Sequence, residues 1–84
     1  MSPIVIRRAI LTELKTYGSG LTPSGLHQLI KLTLPATVLA DIVEELTWLR
    51  DHELIAFTPS PLDADDRTLR QWTITTAGEL VLKK

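Results

Sequence analysis

Apolar residues recur at helical spacing along two segments of the first part of the chain, which predicts two helices. Glycines stop the first pattern, so we expect a helix over residues 3–17. Its apolar positions are Ile6, Ile10, Leu11, Leu14 and Tyr17. The second helix begins at Thr22 and Pro23, a pair that suits an N-cap and a first helical residue, and should end near Lys31.

A longer helix is predicted from about Pro35 to about His52. One continuous apolar stripe supports it, made of Val38, Leu39, Ile42, Val43, Leu46 and Leu49. Trp48 lies roughly opposite that stripe. The stripe predicts that Leu46 and Leu49 lie at the centre of the core, where the other elements converge.

The rest of the chain predicts two short strands and a final helix. An apolar run at about 54–58 is the first strand, and the segment RQWTIT at 70–75 is the second, with a polar loop of about ten residues between them. Thr76, followed three residues later by Glu79, indicates a capping box for the last helix. The order of elements predicts a single α+β domain with three helices, two strands and a short C-terminal helix.

Composition narrows the possible functions. The chain has 84 residues, 44% of them hydrophobic and 23% charged, and no cysteine, which excludes disulfides, thiol catalysis and cysteine zinc sites. No apolar run is long enough to cross a bilayer, and the arginines follow the first apolar residues, so we expect a cytoplasmic protein without membrane contact. His27 and His52 have no partner at ligand spacing, so neither a metal, a cofactor nor an enzymatic activity is expected.

Two motifs resemble the winged helix-turn-helix superfamily. The segment ELTWLRDHELIAF is similar to the end of a recognition helix that runs into a wing as L-x-x-L-x-x-x-G-L-I, with Leu46, Leu49, Leu54 and Ile55 at those spacings. Glu53 stands where the pattern has glycine. The segment WTITTAGELVL resembles the Y-x-L-T-x-x-G entry into the last helix of MarR- and PadR-type regulators.

This resemblance implies a winged-helix DNA-binding protein that regulates transcription, with the third helix in the major groove and the hairpin as the wing. The residues that it places against DNA are Lys31, Thr33, Ala36, Thr37, Ala40, Asp41, Arg67 and Arg70. Terminal helices form dimers in this superfamily, and both termini carry apolar residues, so a homodimer is also expected.

Charge favours a different use of the same scaffold. The net charge is −1, whereas small DNA-binding domains are usually basic. Residues 36–53 hold five acids against Arg50. The alternative is therefore a protein-interaction module that uses the acidic face of the third helix, with Trp48 either anchoring a partner or packing sideways on the strands or on helix 1.

Overall fold

The computed structural model describes residues 3–18, 20–58 and 71–83, and in them it has four helices and a two-stranded antiparallel sheet. The predicted α+β class and order of elements are confirmed. The helices are α1 (Pro3–Thr16), α2 (Pro23–Ile30), α3 (Leu39–Asp51) and α4 (Thr76–Leu82), and the strands are β1 (Ile55–Thr58) and β2 (Gln71–Ile74). Residues 59–70, which join the strands, lie outside the described part of the chain.

The core lies where α1, α2 and α3 meet and where the sheet closes one side. Its buried residues are Ile6, Ile10, Leu11, Leu14, Leu26, Ile30, Ile42, Leu46, Leu49, Ile55 and Trp72. Leu46 and Leu49 are 2% and 0% exposed, as the stripe predicted. The N-terminus of α2 is also as predicted, because the Thr22 hydroxyl accepts the Gly25 amide hydrogen bond at 3.1 Å and Pro23 is the first helical residue.

The start of α3 corrects the prediction. The helix begins at Leu39 and not at Pro35, because the backbone before Leu39 forms turns. The Leu34 N–H donates a hydrogen bond to Ile30 O at 2.8 Å, and the Thr37 N–H donates one to Leu34 O at 3.0 Å. Val38 is the N-cap, with an extended backbone at φ −108° and ψ 160°. Val38 and Leu39 were expected in the buried stripe, but they lie in the exposed first turn.

Helix α3 ends at Asp51, one residue before the expected His52, and is followed by a residue with left-handed backbone conformation. The Glu53 amide bonds Arg50 O at 2.9 Å, and the Leu54 amide bonds Leu49 O at 3.0 Å. This pair of bonds is the Schellman motif, which requires a left-handed residue between the helix and the strand. Glu53 adopts that conformation, with φ +61°, at the position where the family pattern has glycine.

The sheet pairs Ile55 with Ile74 and Phe57 with Trp72. On the other edge of β2, the backbone of Leu21 exchanges two hydrogen bonds with Trp72, of 3.0 and 2.7 Å. Gly20 turns the chain into this pairing with φ +103°, a region that favours glycine. The connection between α1 and α2 is thereby fixed to the sheet.

The N-cap of α4 is Thr75, one residue before the expected Thr76. The Thr75 hydroxyl accepts the Gly78 amide hydrogen bond at 3.2 Å and donates to Glu53 O at 2.8 Å. Gly78 is buried, and a Cβ added there would collide with the carbonyl oxygen of Leu54. The threonine and glycine of the family-like motif therefore seat α4 on the chain that enters β1.

Candidate interaction surfaces

The residues that the resemblance places against DNA fall into three groups. Exposed side chains around the start of α3 are those of Lys31, Thr33, Ala36 and Ala40. Thr37 is buried and Asp41 is half-buried. Arg67 and Arg70, the expected wing contacts, lie outside the described residues.

Three of the expected contact residues form contacts within the local structure. Thr37 is 2% exposed, so its side chain lies on the inner side of the α2–α3 connection and not on the outer surface, and its carbonyl oxygen lies 2.9 Å from His27 Nε2. Asp41 is half-buried, and its carboxylate accepts the Val38 amide hydrogen bond at 3.5 Å. Thr33 also bonds locally, because its hydroxyl donates to Ile30 O at 3.2 Å.

Large apolar side chains are exposed within and directly after the connection between α2 and α3. Leu32 is 80% exposed, Val38 is 54% exposed and Leu39 is 38% exposed. Sequence reasoning missed them because the apolar stripe extends through Val38 and Leu39 without a break. The acid at Asp41 was the available signal, since carboxylates are enriched in the first turn of a helix.

The solvent-facing side of α3 continues from these residues. Its outermost positions follow helical spacing and are all exposed: Ala40, Glu44, Thr47 and Asp51. They include two carboxylates and no cation. Arg50 lies beside them, and its guanidinium is 3.3 Å from the Asp51 carboxylate, both groups being exposed. We define the α2–α3 surface as Leu32, Val38 and Leu39 together with these four residues.

Glu45 does not belong to that surface, although the acidic pattern suggested it. It is 7% exposed and forms a salt bridge with Arg7 of α1. Burial of a carboxylate is costly unless an opposite charge and hydrogen bonds compensate it, which Arg7 supplies. The excess of acids on the outside of α3 is therefore smaller than the count over residues 36–53 indicated.

Trp48 packs against α1, which is one of the two predicted alternatives. The Arg7 guanidinium lies 3.7 Å from the centre of the Trp48 ring, and the His52 ring stacks on Trp48 with 3.7 Å between ring centres. Two groups this close to one ring must lie on opposite faces of it. Glu45, Arg7, Trp48 and His52 thus form one continuous stack that joins α1 to α3.

A groove runs beside this stack between α1, α3 and α4, with a volume of about 240 Å³. Its lining includes Ile4, Trp48 and Val81. Large apolar side chains on the two terminal helices remain exposed: Ile4, Val5, Leu80 and Val81. The groove and these side chains lie on the helices where a homodimer was predicted, and dimerisation stays a prediction.

Comparisons with known proteins give no relative for this chain. No family model, no curated protein and no solved structure matches it significantly. Within residues 3–18, 20–58 and 71–83, no three histidine or carboxylate side chains are placed to hold a metal ion. None of the helices in these ranges is long and apolar enough to cross a membrane.

Proposed function

We propose that the chain is a winged-helix module that binds another protein through the α2–α3 surface. Three features support the winged-helix scaffold: three helices precede an antiparallel hairpin, Leu21 pairs with the outer edge of β2, and Thr75 and Gly78 occupy the structural positions of the family-like motif. A scaffold of this kind serves several functions, so the function must be argued from its surface.

The observation that carries the proposal is the chemistry of the α2–α3 surface. A helix that reads DNA needs side chains that hydrogen-bond base edges, and cations nearby that contact phosphates. Here the helix start presents the apolar side chains of Leu32, Val38 and Leu39, and the outer side of α3 presents Glu44 and Asp51. Large exposed apolar side chains grouped within residues 32–39 favour a protein-binding surface.

A second candidate is a DNA-binding transcriptional regulator. Its support is the exposure of Lys31, Thr33, Ala36 and Ala40 around the start of α3, where a winged-helix protein contacts the major groove. Asp41 and Glu44 oppose this use, since carboxylates next to phosphates repel them.

Photo-crosslinking distinguishes the two candidates directly. A photoreactive phenylalanine derivative replaces Leu32, whose side chain is 80% exposed, and cells producing the variant are irradiated. We expect an adduct with another protein, whose mass does not change on treatment with nuclease. The matched control places the same group at Thr12, an exposed position of α1, and should give no adduct other than one with a second copy of the chain.

A nuclease-sensitive adduct at position 32 would favour the DNA-binding candidate. Fluorescence anisotropy of a random duplex supplies an independent measurement. We expect no binding even at low salt, where phosphate contacts are strongest. Salt-dependent binding to the duplex would contradict the proposal.

A further inference from the structure

The α2–α3 surface has an unusual feature at its centre. Val38 is the N-cap of α3, a position where serine, threonine, aspartate and asparagine are preferred because their side chains accept a backbone hydrogen bond. The valine side chain has no hydrogen-bond acceptor, so it does not cap the helix. It is also 54% exposed, so it is not part of the buried core. A residue that breaks local rules without a structural gain is expected at a functional position.

The charge of the surface then specifies its partner. Along the outer side of α3, Glu44 and Asp51 follow the apolar first turn over a length of about 20 Å, at about 1.5 Å per residue. Among the described residues, the Asp51 carboxylate pairs with the exposed neighbouring Arg50 at 3.3 Å, a contact that water screens. Of the other two acids of α3, Glu45 faces inward against Arg7, and Asp41 accepts the hydrogen bond of the Val38 amide. The outer side of α3 therefore carries two carboxylates against one arginine, a net charge of −1, after the apolar first turn.

We propose that the α2–α3 surface binds a basic amphipathic helix of another protein. Apolar side chains of that helix would cover Leu32, Val38 and Leu39, and its lysine or arginine side chains would face Glu44 and Asp51. A length of about 20 Å corresponds to roughly four helical turns, so one short helix covers the surface. This inference rests on the proposed function, because it names the chemical class of the protein that is bound.

A second copy of the chain does not suit this surface. In a two-fold dimer the same patch meets itself, so the Glu44 and Asp51 carboxylates of both copies would be brought together, with one Arg50 in each copy to offset two carboxylates. The exposed apolar side chains of α1 and α4 are free of that objection and are a different surface. A partner that carries positive charge is the better fit to α3.

The test uses defined peptides and the whole chain. The probe is an amphipathic peptide of about 14 residues, roughly four turns, with leucine on one face and lysine on the other. A control peptide has glutamate at every lysine position. Backbone amide resonances of the protein are followed during titration. We expect the lysine peptide to shift resonances of residues 31–51 and the glutamate peptide to leave them unchanged.

Variants then assign the interaction to the named residues. The double variant Glu44→Gln with Asp51→Gln should weaken binding of the lysine peptide by roughly 2- to 30-fold, since each exposed ion pair contributes about 1.4- to 5-fold. Leu32→Ser should also weaken it. Matched controls are Glu13→Gln on α1 and Val81→Ser in the groove, and neither should change the affinity. All these positions except the half-buried Glu13 are exposed, so the variants should fold.

Several results would overturn the inference. They are absence of binding by the lysine peptide, equal binding of the glutamate peptide, or an unchanged affinity in the double variant. Resonance shifts confined to the groove between α1, α3 and α4 would also refute it. The crosslinking experiment separates these from failure of the proposed function. If position 32 crosslinks to a protein but the lysine and glutamate peptides bind equally, the proposed protein-binding function stands. Only the inference that the partner is basic is then refuted.

Discussion

Replacement of Val38 tests both the structure and the proposed function of the start of α3. The N-cap backbone at this position is extended, and the Asp41 carboxylate already accepts the Val38 amide hydrogen bond at 3.5 Å. A serine hydroxyl at position 38 would accept a hydrogen bond from the first turn of α3 and complete a reciprocal cap. Alanine removes the valine methyl groups without supplying an acceptor, so the serine and alanine variants differ mainly in the cap.

The expected magnitudes follow from burial and capping. Val38 is 54% exposed, so truncation to alanine forfeits less than half of a full valine burial, or about 0.7–1.4 kcal/mol. A serine N-cap stabilises a helix by about 1 kcal/mol relative to alanine, within a range of about 0.5–2 kcal/mol. Val38→Ser should therefore lie close to the wild type in free energy of unfolding, and Val38→Ala should lie about 1 kcal/mol below it.

Urea and thermal melts measure the difference. A change of about 1 kcal/mol shifts the melting temperature of a domain of this size by about 4–8 °C. The control pair is Leu39→Ser and Leu39→Ala, at the first helical residue, where alanine has the higher helix propensity and serine cannot cap. If serine is no better than alanine at position 38, or shows the same advantage at position 39, the assigned start of α3 is wrong.

The same variant separates binding from folding. Val38→Ser removes an exposed apolar side chain from the α2–α3 surface while leaving the free energy of unfolding nearly unchanged. We expect it to lose partner crosslinking at Leu32 and to bind the lysine peptide more weakly than the wild type. Retention of both would mean that Val38 is not part of the binding surface.

Four further predictions concern the core, the turn after α3, the seat of α4 and the terminal helices. Leu46→Ala should lower the free energy of unfolding by about 2–5 kcal/mol and the exposed Thr47→Ala by well under 1 kcal/mol, and equal losses in urea melts would refute the orientation of α3. Glu53→Gly should raise the melting temperature, because glycine adopts φ +61° without the strain of a side chain, whereas Glu53→Ala should not. Gly78→Ala should destabilise the domain by about 1–3 kcal/mol through collision with the Leu54 carbonyl oxygen, measured in the same melts. Sedimentation at tens of micromolar should show a species larger than the 9.4 kDa monomer, and Val81→Lys should dissociate it.

Local chemistry made parts of the fold predictable. Thr22 and Pro23 specify the start of α2 by themselves, because the cap and the first helical residue are adjacent in the chain. The stripe through Leu46 and Leu49 specifies the buried side of α3 for the same reason. The start of α3 was harder to predict, since Pro35 also suits a first helical residue and Asp41 was the one local signal for a later first turn.

Other features of the structure depend on contacts between segments that are distant in the sequence, and local patterns do not predict them. Two adjacent threonines are both acceptable caps for α4, and Thr75 is selected because its hydroxyl also reaches Glu53 O, which is 22 residues away in the sequence. The position of Glu45 depends on Arg7, which is 38 residues away. A helical pattern shows which residues share a face, but it does not show which acid on that face meets a cation from another helix.

The adjacent acids Glu44 and Glu45 show how this matters for function. Counted from the sequence, they carry the same charge on the same helix. In the fold, Glu45 is buried against Arg7 and contributes to the joint between α1 and α3, whereas Glu44 points into solvent beside the apolar first turn. Of these two acids, Glu44 alone can therefore repel a polyanion or attract a basic partner at the α2–α3 surface. Glu44→Gln should weaken binding of the lysine peptide with little effect on the free energy of unfolding. Glu45→Gln should lower the free energy of unfolding with little effect on peptide binding. Comparison of the two variants therefore separates the carboxylate that contributes to binding from the carboxylate that contributes to stability.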